Sequence, residues 1–339
     1  MSVRLKVVMA GPLVSVQDLG RPGRMNVGLS RGGAMDRSAL IAAAALLDAP
    51  LGAGIEMAGT GGTFCVDAPL RFALTGAVMR ANVDGQALRW NASHLLLPGQ
   101  ALVVGAAQAG TYGYLVPAGG IMGRDVLGSA AAHLSAGLGA RLVAGDVVQI
   151  GVDAALGAGQ MVLEKRGDLA GGTLRLMPGP QTAMYDADTQ ARLAKTVFHR
   201  SPQANRTALP LLQDGAGFAA SGGNPVSDFI APGDVQITGE GTPVMMMAEC
   251  QTVGGYPRIG TVIAADLARA AQAPVTAALR FEWVDVAQAD ALFVLEAQQL
   301  LVLRGKVRPL VRDPRDIPDL LSYQLISGVT AGSDMEPAR

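Results

Sequence analysis

Histidine, cysteine, aromatic rings and an excess of either charge are all scarce in this chain. Its 339 residues include three His and two Cys, and aromatic residues make up 4%. His94, His133 and His199 lie far apart, without the spacing a ligand set needs, so no metal site is expected. Cys65 and Cys250 are too few and too distant for a disulfide framework, so buried free thiols in a reducing cytoplasm are expected. The net charge is -1 with no basic stripe, which argues against nucleic acid and anionic membrane as partners. No apolar run reaches the roughly 18 residues of a membrane helix. Met1–Val8 carries charge, and Gly11-Pro12 interrupts before any long apolar core, so no secretory leader is expected.

What the chain does have is short apolar segments. Half of its residues are hydrophobic, and 44 Gly and 19 Pro break them up. That pattern predicts a mostly β fold with a few short helices. The length suffices for a well-buried core in one large domain or two. An Ala/Gly-rich shift over residues 151–172 suggests a connection between two β-rich lobes, 1–170 and 171–305, with a tail over 306–339.

Leu13–Gln17 reads as the first strand, because Val14 and Val16 alternate with Ser15 and Gln17. Asp36 is placed to cap a helix over Arg37–Leu47. Gly54–Met57 and Gly62–Val66 read as strands. Asp84-Gly85 is the strongest hairpin signal, since a tight turn there needs positive φ. Gly137-Leu138-Gly139 and Gly145-Asp146 invite a nucleotide-loop reading, but no Gly-Lys-Ser/Thr follows, so they read as turns. Thr189–Val197 predicts a helix with Leu193 inward, and Ala287–Leu303 is the longest helical pattern, apolar at Leu292, Leu295, Leu300 and Leu303. The methionines of Val244–Ala248 read as core filler.

Two polar stretches carry the chemistry. The first runs from Gln17-Asp18-Leu19-Gly20-Arg21-Pro22-Gly23 to Arg31-Gly32-Gly33-Ala34-Met35-Asp36. It is either a surface turn or a binding loop with Asp18, Arg21 and Asp36 facing a substrate; residue types alone favour the turn. The second is Glu249–Leu267. Gly254-Gly255 permits close backbone approach, Tyr256 offers a hydroxyl, and the planar fork of Arg258 suits a carboxylate or phosphate. Asp266 reads as the cap of a helix over Leu267–Gln272. Glu56 reads as an exposed strand-face carboxylate or, alternatively, as part of the same cleft as Asp18.

Several of these stretches together resemble the allophanate-hydrolase-subunit-2-like family. The match includes Val16–Gly23, Gly28, Gly32, Ala34-Met35-Asp36 and Ala39-Leu40. It continues through Leu74-Thr75-Gly76-Ala77, Ala118-Gly119-Gly120-Ile121, Val126-Leu127-Gly128-Ser129 and Pro178-Gly179-Pro180-Gln181. It is densest at Gln251-Thr252-Val253-Gly254-Gly255-Tyr256-Pro257-Arg258, followed by Thr261-Val262-Ile263 and Asp266-Leu267. The chain departs from the family at Ala204-Asn205-Arg206-Thr207, where relatives carry Ser-Asp-Arg-Met. Arg206 is kept, but an anionic neighbour becomes a neutral amide; if that anion orients a substrate amine or pairs with the arginine, charge balance is lost there.

The family includes the C subunit of 5-oxoprolinase, the Kip antagonist proteins and half of the urea carboxylase carboxyltransferase domain. The resemblance implies cyclophilin-like barrel architecture and a subunit-1-like (B-type) partner chain. It implies one component of an ATP-dependent amide- or lactam-processing enzyme, with a lactam-hydrolase partner and a small amide or lactam substrate. The leading expectation is a hydrolase component like the 5-oxoprolinase C subunit. The alternatives are a biotin-dependent carboxyltransferase component receiving carboxybiotin from a partner, or a non-catalytic antagonist. No biotin-carrier Met-Lys-Met, ATP-grasp or amidase Ser-Ser-Lys region is found, so no covalent cofactor is expected and ATP is assigned to the complex. In the roles implied, Arg21 and Arg258 hold an anion, and Asp18 or Asp36 orients or deprotonates the amide nitrogen. Gln251 and Tyr256 hydrogen-bond the carbonyl, and Gln17, Arg206 and Thr252 complete the substrate contacts.

Overall fold

The computed structural model describes residues 2–311 apart from 124, 165, 222–224 and 276. Most of the expected 306–339 tail lies outside the described residues.

Strands form where small and β-branched residues alternate or run unbroken between glycine turns. They assemble into a twelve-stranded sheet and a closed barrel. The first strand is Val3–Ala10, ahead of the expected one: Val3, Leu5 and Val7 face inward while Arg4 and Lys6 face out. The charges on its outer face disguise it in the sequence. The central pair of the sheet is Leu70–Val83 against Ala101–Pro117, antiparallel and interrupted by register shifts. Leu70–Val83 turns at Asp84 (φ 51) and Gly85 (φ 85) to pair with Gln86–Ala87, as the hairpin signal requires.

The barrel closes in the order Gly172–Met177, Arg258–Val262, Asp234–Ile237, Pro243–Met246, Ala208–Leu212, Phe198–Arg200 and Ala278–Trp283. The closing pair, Gly172–Met177 with Ala278–Trp283, is parallel. The expected mostly-β class with a barrel is therefore what forms.

Helix α1, Arg37–Leu47, starts where Asp36 accepts the Ala39 N–H, a cap worth about 1 kcal/mol. It buries Leu40, Ile41, Leu46 and Leu47, each worth roughly 1.5–3 kcal/mol relative to exposure. Leu40, Leu46 and Leu47 belong to a core that runs from α1 and Tyr114 of the sheet into Leu174, Phe198 and Phe281 of the barrel. The two β units thus share a continuous apolar interior. Helix α2, Ala187–Lys195, turns Leu193 inward. Helix α3, Leu267–Gln272, follows the barrel strand that begins at Arg258.

The pattern over Ala287–Leu303 is two helices rather than one. Helix α4, Val286–Leu292, opens with a capping box between Asp285 and Gln288. Phe293 then adopts extended geometry (φ -77, ψ 121), and helix α5, Glu296–Arg304, resumes at a bend of 45°. Leu295, Leu301 and Val302 stay exposed. This arm leaves the barrel and returns to the first unit: α5 lies along α1, and Arg308–Pro309 pairs with Met161–Val162. Among the described residues, no single helix is long and apolar enough to cross a membrane.

Candidate functional site

The Arg31–Asp36 stretch is where the two β units meet. Gly33 (φ +79) lies so close to the first loop that a Cβ there would sit 2.5 Å from the Gly20 nitrogen. The Gly32 N–H donates to the Ala248 carbonyl at 3.0 Å, joining the N-terminal loop to the end of a barrel strand. Ala248 directly precedes the second polar stretch, so the contact brings the first stretch beside its start.

Beneath this junction lies a buried charge cluster. Arg206 sits between Glu56 and Glu249: Nη1 donates to Glu56, Nε donates to Glu249 at 2.5 Å, and Nη2 donates to the Gly33 carbonyl at 2.6 Å. Two carboxylates hold the guanidinium protonated, against a burial effect that opposes its charge. The surplus negative charge is met by neutral donors. Glu56 accepts from the Tyr114 hydroxyl at 2.6 Å and the Met35 N–H at 2.8 Å. Glu249 accepts from the Ser135 N–H at 3.0 Å. The expectation of an exposed Glu56 is corrected: it is 2% exposed. The expected charge imbalance at Ala204-Asn205 does not arise either. Arg206 draws its carboxylates from the strand Gly54–Ala58 and the turn at Glu249, and Asn205 accepts from the Thr207 and Ala208 N–H groups as a turn residue.

His133 adjoins this cluster. Its Nε2 is 2.9 Å from Ser30 Oγ and its Nδ1 is 3.9 Å from Glu249. The order Ser–His–Glu resembles a nucleophile relay, but Ser30 is 2% exposed and the Glu249 carboxylate is committed to Arg206. Burial holds the imidazole below its usual pKa, against the pull of Glu249. Ser135 Oγ lies 3.2 Å from both His133 Nδ1 and the Glu249 carbonyl, so the group is an interior hydrogen-bond network linked through Ser135.

The residues singled out from sequence fall into two sets. Gln17 is fully buried, donating to Ser15 Oγ and the Ala132 carbonyl. Asp18 accepts from Gly20 N–H, Ser129 Oγ–H and Ala130 N–H at 2.7–2.8 Å. Arg21, 1% exposed, donates to the carbonyls of Val126, Ser129 and Ala131. These three bind the Val126–Ala131 loop and its continuation at Ala132, so two stretches of the family resemblance recognise each other. Arg21 and Gln17, expected as substrate contacts, are buried against this loop and Ser15, and among the described residues Gln17 Oε1 and Arg21 Nη1 have no hydrogen-bond partner. Asp36 is also fully buried, capping α1 and bonding Arg166 and the Gln272 side chain, which is a seam contact between α3 and the sheet.

The second set lies at the far end of the Glu249–Leu267 stretch. Arg258 pairs with Asp228 and Asp234 and also donates to the Phe229 carbonyl. Its fork is thus engaged with carboxylates of this chain rather than poised for a ligand. Gln251 and Tyr256 are exposed, whereas Thr252 is buried. Asp266 does not cap α3 with its side chain. It accepts instead from Arg175 Nε and Nη2 at 2.8 and 2.6 Å, because the strand-borne guanidinium offers a bidentate partner.

A cleft of about 360 Å³ opens over the junction, and none of these residues lines it. One wall is Arg31–Met35 with the start of α1 at Arg37 and Ser38. The facing wall is the barrel rim at Met246–Ala248 with Ala264, Ala265, Leu267 and Ala268, and the arm at Leu292, Phe293, Val294 and Glu296 roofs it. Arg31, Arg37, Asp168 and Glu296 are its titratable lining. Asp168 is clamped by Arg166 through two bonds of 2.9 and 2.7 Å. The Glu296 carboxylate lies 3.3 Å from Arg31 and 3.6 Å from Arg37. Burial and the neighbouring Arg31 lower the Arg37 pKa, and Glu296 only partly offsets them. Sequence reading passed over Arg31 although it stands directly before Gly32-Gly33; Glu296, 265 positions away, gave no signal. The arrangement can bind and orient an anion against an apolar wall.

Residues 27–283 match the family model described as "Carboxyltransferase domain, subdomain A and B". The chain belongs to this carboxyltransferase-domain family. It is 33% identical over 308 residues to the C subunit of 5-oxoprolinase from Escherichia coli (strain K12), covering 87% of this chain and 95% of that protein. It is 31% identical over 287 residues to the C subunit of 5-oxoprolinase from Haemophilus influenzae (strain Rd), covering 82% and 90%. Among solved structures, TTHA0988 aligns with a TM-score of 0.74 at 28% identity, covering 83% of this chain and 56% of that one. This carboxyltransferase-domain chain thus spans little more than half of that solved relative. The Kluyveromyces lactis urea carboxylase shares the fold, with a TM-score of 0.77 at 19% identity over 92% of this chain and 31% of that one. The arm from Val286 onward lies beyond the matched family residues.

Proposed function

We propose that this chain is the C subunit of a 5-oxoprolinase-type complex, working with a subunit-1-like partner and a lactam-hydrolase partner in the cytoplasm. In such a complex, 5-oxoproline is opened to glutamate at the expense of ATP. The observation that carries this reading is identity of 33% and 31% to two proteins named as the C subunit of 5-oxoprolinase, along 95% and 90% of their lengths. The cleft supports it physically. Its volume lies at the small end for ligand sites, and it sets two guanidinium groups against an apolar wall. Forked cations of this kind suit the carboxylate of a compact lactam. The contribution of this chain is to bind and orient; the groups that open the ring and handle ATP come from the partners.

Carboxyl transfer from carboxybiotin is the second reading, and the family model favours it. Co-expression with the partner chains, followed by ATP-hydrolysis assays, separates the two. The 5-oxoprolinase reading expects hydrolysis stimulated by 5-oxoproline and lost when this chain is omitted. Stimulation only by urea with a biotinylated carrier present would replace it with carboxyl transfer, and no stimulation at all would favour an antagonist.

A further inference from the structure

We infer that Arg31 and Arg37 form a carboxylate-binding site whose resident occupant is Glu296, and that a small carboxylate with an apolar body binds by displacing the arm.

The first ground is geometry. Arg71–Asp153, Arg166–Asp168 and Arg175–Asp266 are each held by two bonds of 2.6–3.1 Å. Glu296 instead offers a single oxygen, Oε1, to both guanidinium groups, at 3.3 and 3.6 Å. Charge-assisted bonds ordinarily settle near 2.7–2.9 Å. A ligand carboxylate free of the helix can present one oxygen to each arginine and close both distances.

The second ground is charge. Two cations share one anion, so the trio carries a surplus positive charge. Arg31 Nε is anchored on the Leu19 carbonyl at 2.7 Å, which fixes one side of the site before any ligand arrives. Helix α1 begins in the same wall and adds its N-terminal partial charge.

The third ground is the covering element. Glu296 is the first residue of α5, directly after the Phe293–Leu295 bend. Met35, Ile41, Met246, Leu267, Phe293 and Val294 line the cleft beside it and fit an apolar ring body. The side chains of Arg31, Arg37 and Glu296 keep 27–34% of their exposure, so the trio is reachable. A swing of the arm about its bend uncovers the site without disturbing the barrel.

The site rests on the proposed function only in the choice of 5-oxoproline as a probe. The test is calorimetric titration of the full chain with 5-oxoproline, acetate and inorganic phosphate in turn. Glu296→Gln keeps the shape and removes the competing charge. It is expected to tighten 5-oxoproline binding about three- to tenfold, the range left by losing one part-exposed ion pair. Arg37→Met added to Glu296→Gln is expected to abolish that gain. Equal tightening for acetate and 5-oxoproline, with phosphate unchanged, supports the carboxylate site while counting against 5-oxoproline as the substrate; equal tightening for phosphate overturns the carboxylate assignment. Binding by folded Glu296→Gln no tighter than wild type for any probe overturns the inference. Glu296→Asp, whose shorter side chain retracts the carboxylate, provides the same reading if the first variant fails to fold.

Discussion

Two charged trios at the junction are mirror images in composition. Arg206 stands between Glu56 and Glu249, and Glu296 stands between Arg31 and Arg37. The first is nearly sealed from solvent and has neutral donors from Tyr114, Met35 and Ser135 on its surplus anion. The second is part-exposed, its distances are longer, and its surplus cation is unmatched within the trio. A buried trio with its surplus charge met by donors holds two β units together. An open trio with charge left over suits a ligand. Burial and hydrogen-bond completeness, more than residue type, separate structure from site.

The largest test of this contrast removes the central cation of the sealed trio. Arg206→Met leaves two carboxylates buried together and is expected to cost about 3–5 kcal/mol of stability, read by denaturant unfolding. A loss below about 1 kcal/mol would mean that the trio is not structural. Tyr114→Phe is next. It strips one donor from Glu56 and one acceptor from the Asp36 N–H, with an expected loss of about 1–3 kcal/mol in the same assay.

Acid should probe the same interior. Burial holds His133 and His94 below the usual histidine pKa, so the unfolded chain takes up protons first. Their contribution is therefore complete above about pH 6.5 and declines as pH falls through that value and on to the folded pKa. Asp153 is lowered by its bonds to Arg71. Burial would raise Asp168, but Arg166 outweighs that and lowers it. Their contribution is present above about pH 3.9 and is lost as pH falls below it. Thermal unfolding should show these groups leaving Tm level from pH 8 to about 6.5 and lowering it from there down to pH 4; a profile flat below about pH 6.5 would remove His133 and His94 from the account.

The smallest effect is expected at the open trio. Glu296→Gln should change stability by less than about 1 kcal/mol, since solvent screens the pair. A loss as large as that of Arg206→Met would erase the distinction between the two trios.

The sequence was most informative where a feature closes within a few residues. The Asp36 cap spans three positions, and the Asp84-Gly85 turn is set by its own φ angles. The seam was opaque for the opposite reason. Arg206 meets Glu56 across 150 positions, and no local pattern distinguishes that glutamate from a surface one. Asp18 and Arg21 show the reverse error. Their loop carries the residue types of a binding site, yet it is spent on holding Val126–Ala131.

Alternation, glycine turns and recurring motifs by themselves fixed a mostly β chain, its hairpin, its capped helix and its family, because each depends on neighbours along the backbone. Which charges are buried and which are left open was decided only by tertiary structure. Coulombic pairing and desolvation depend on what the folded chain brings together, and here the partners come from opposite ends of the sequence.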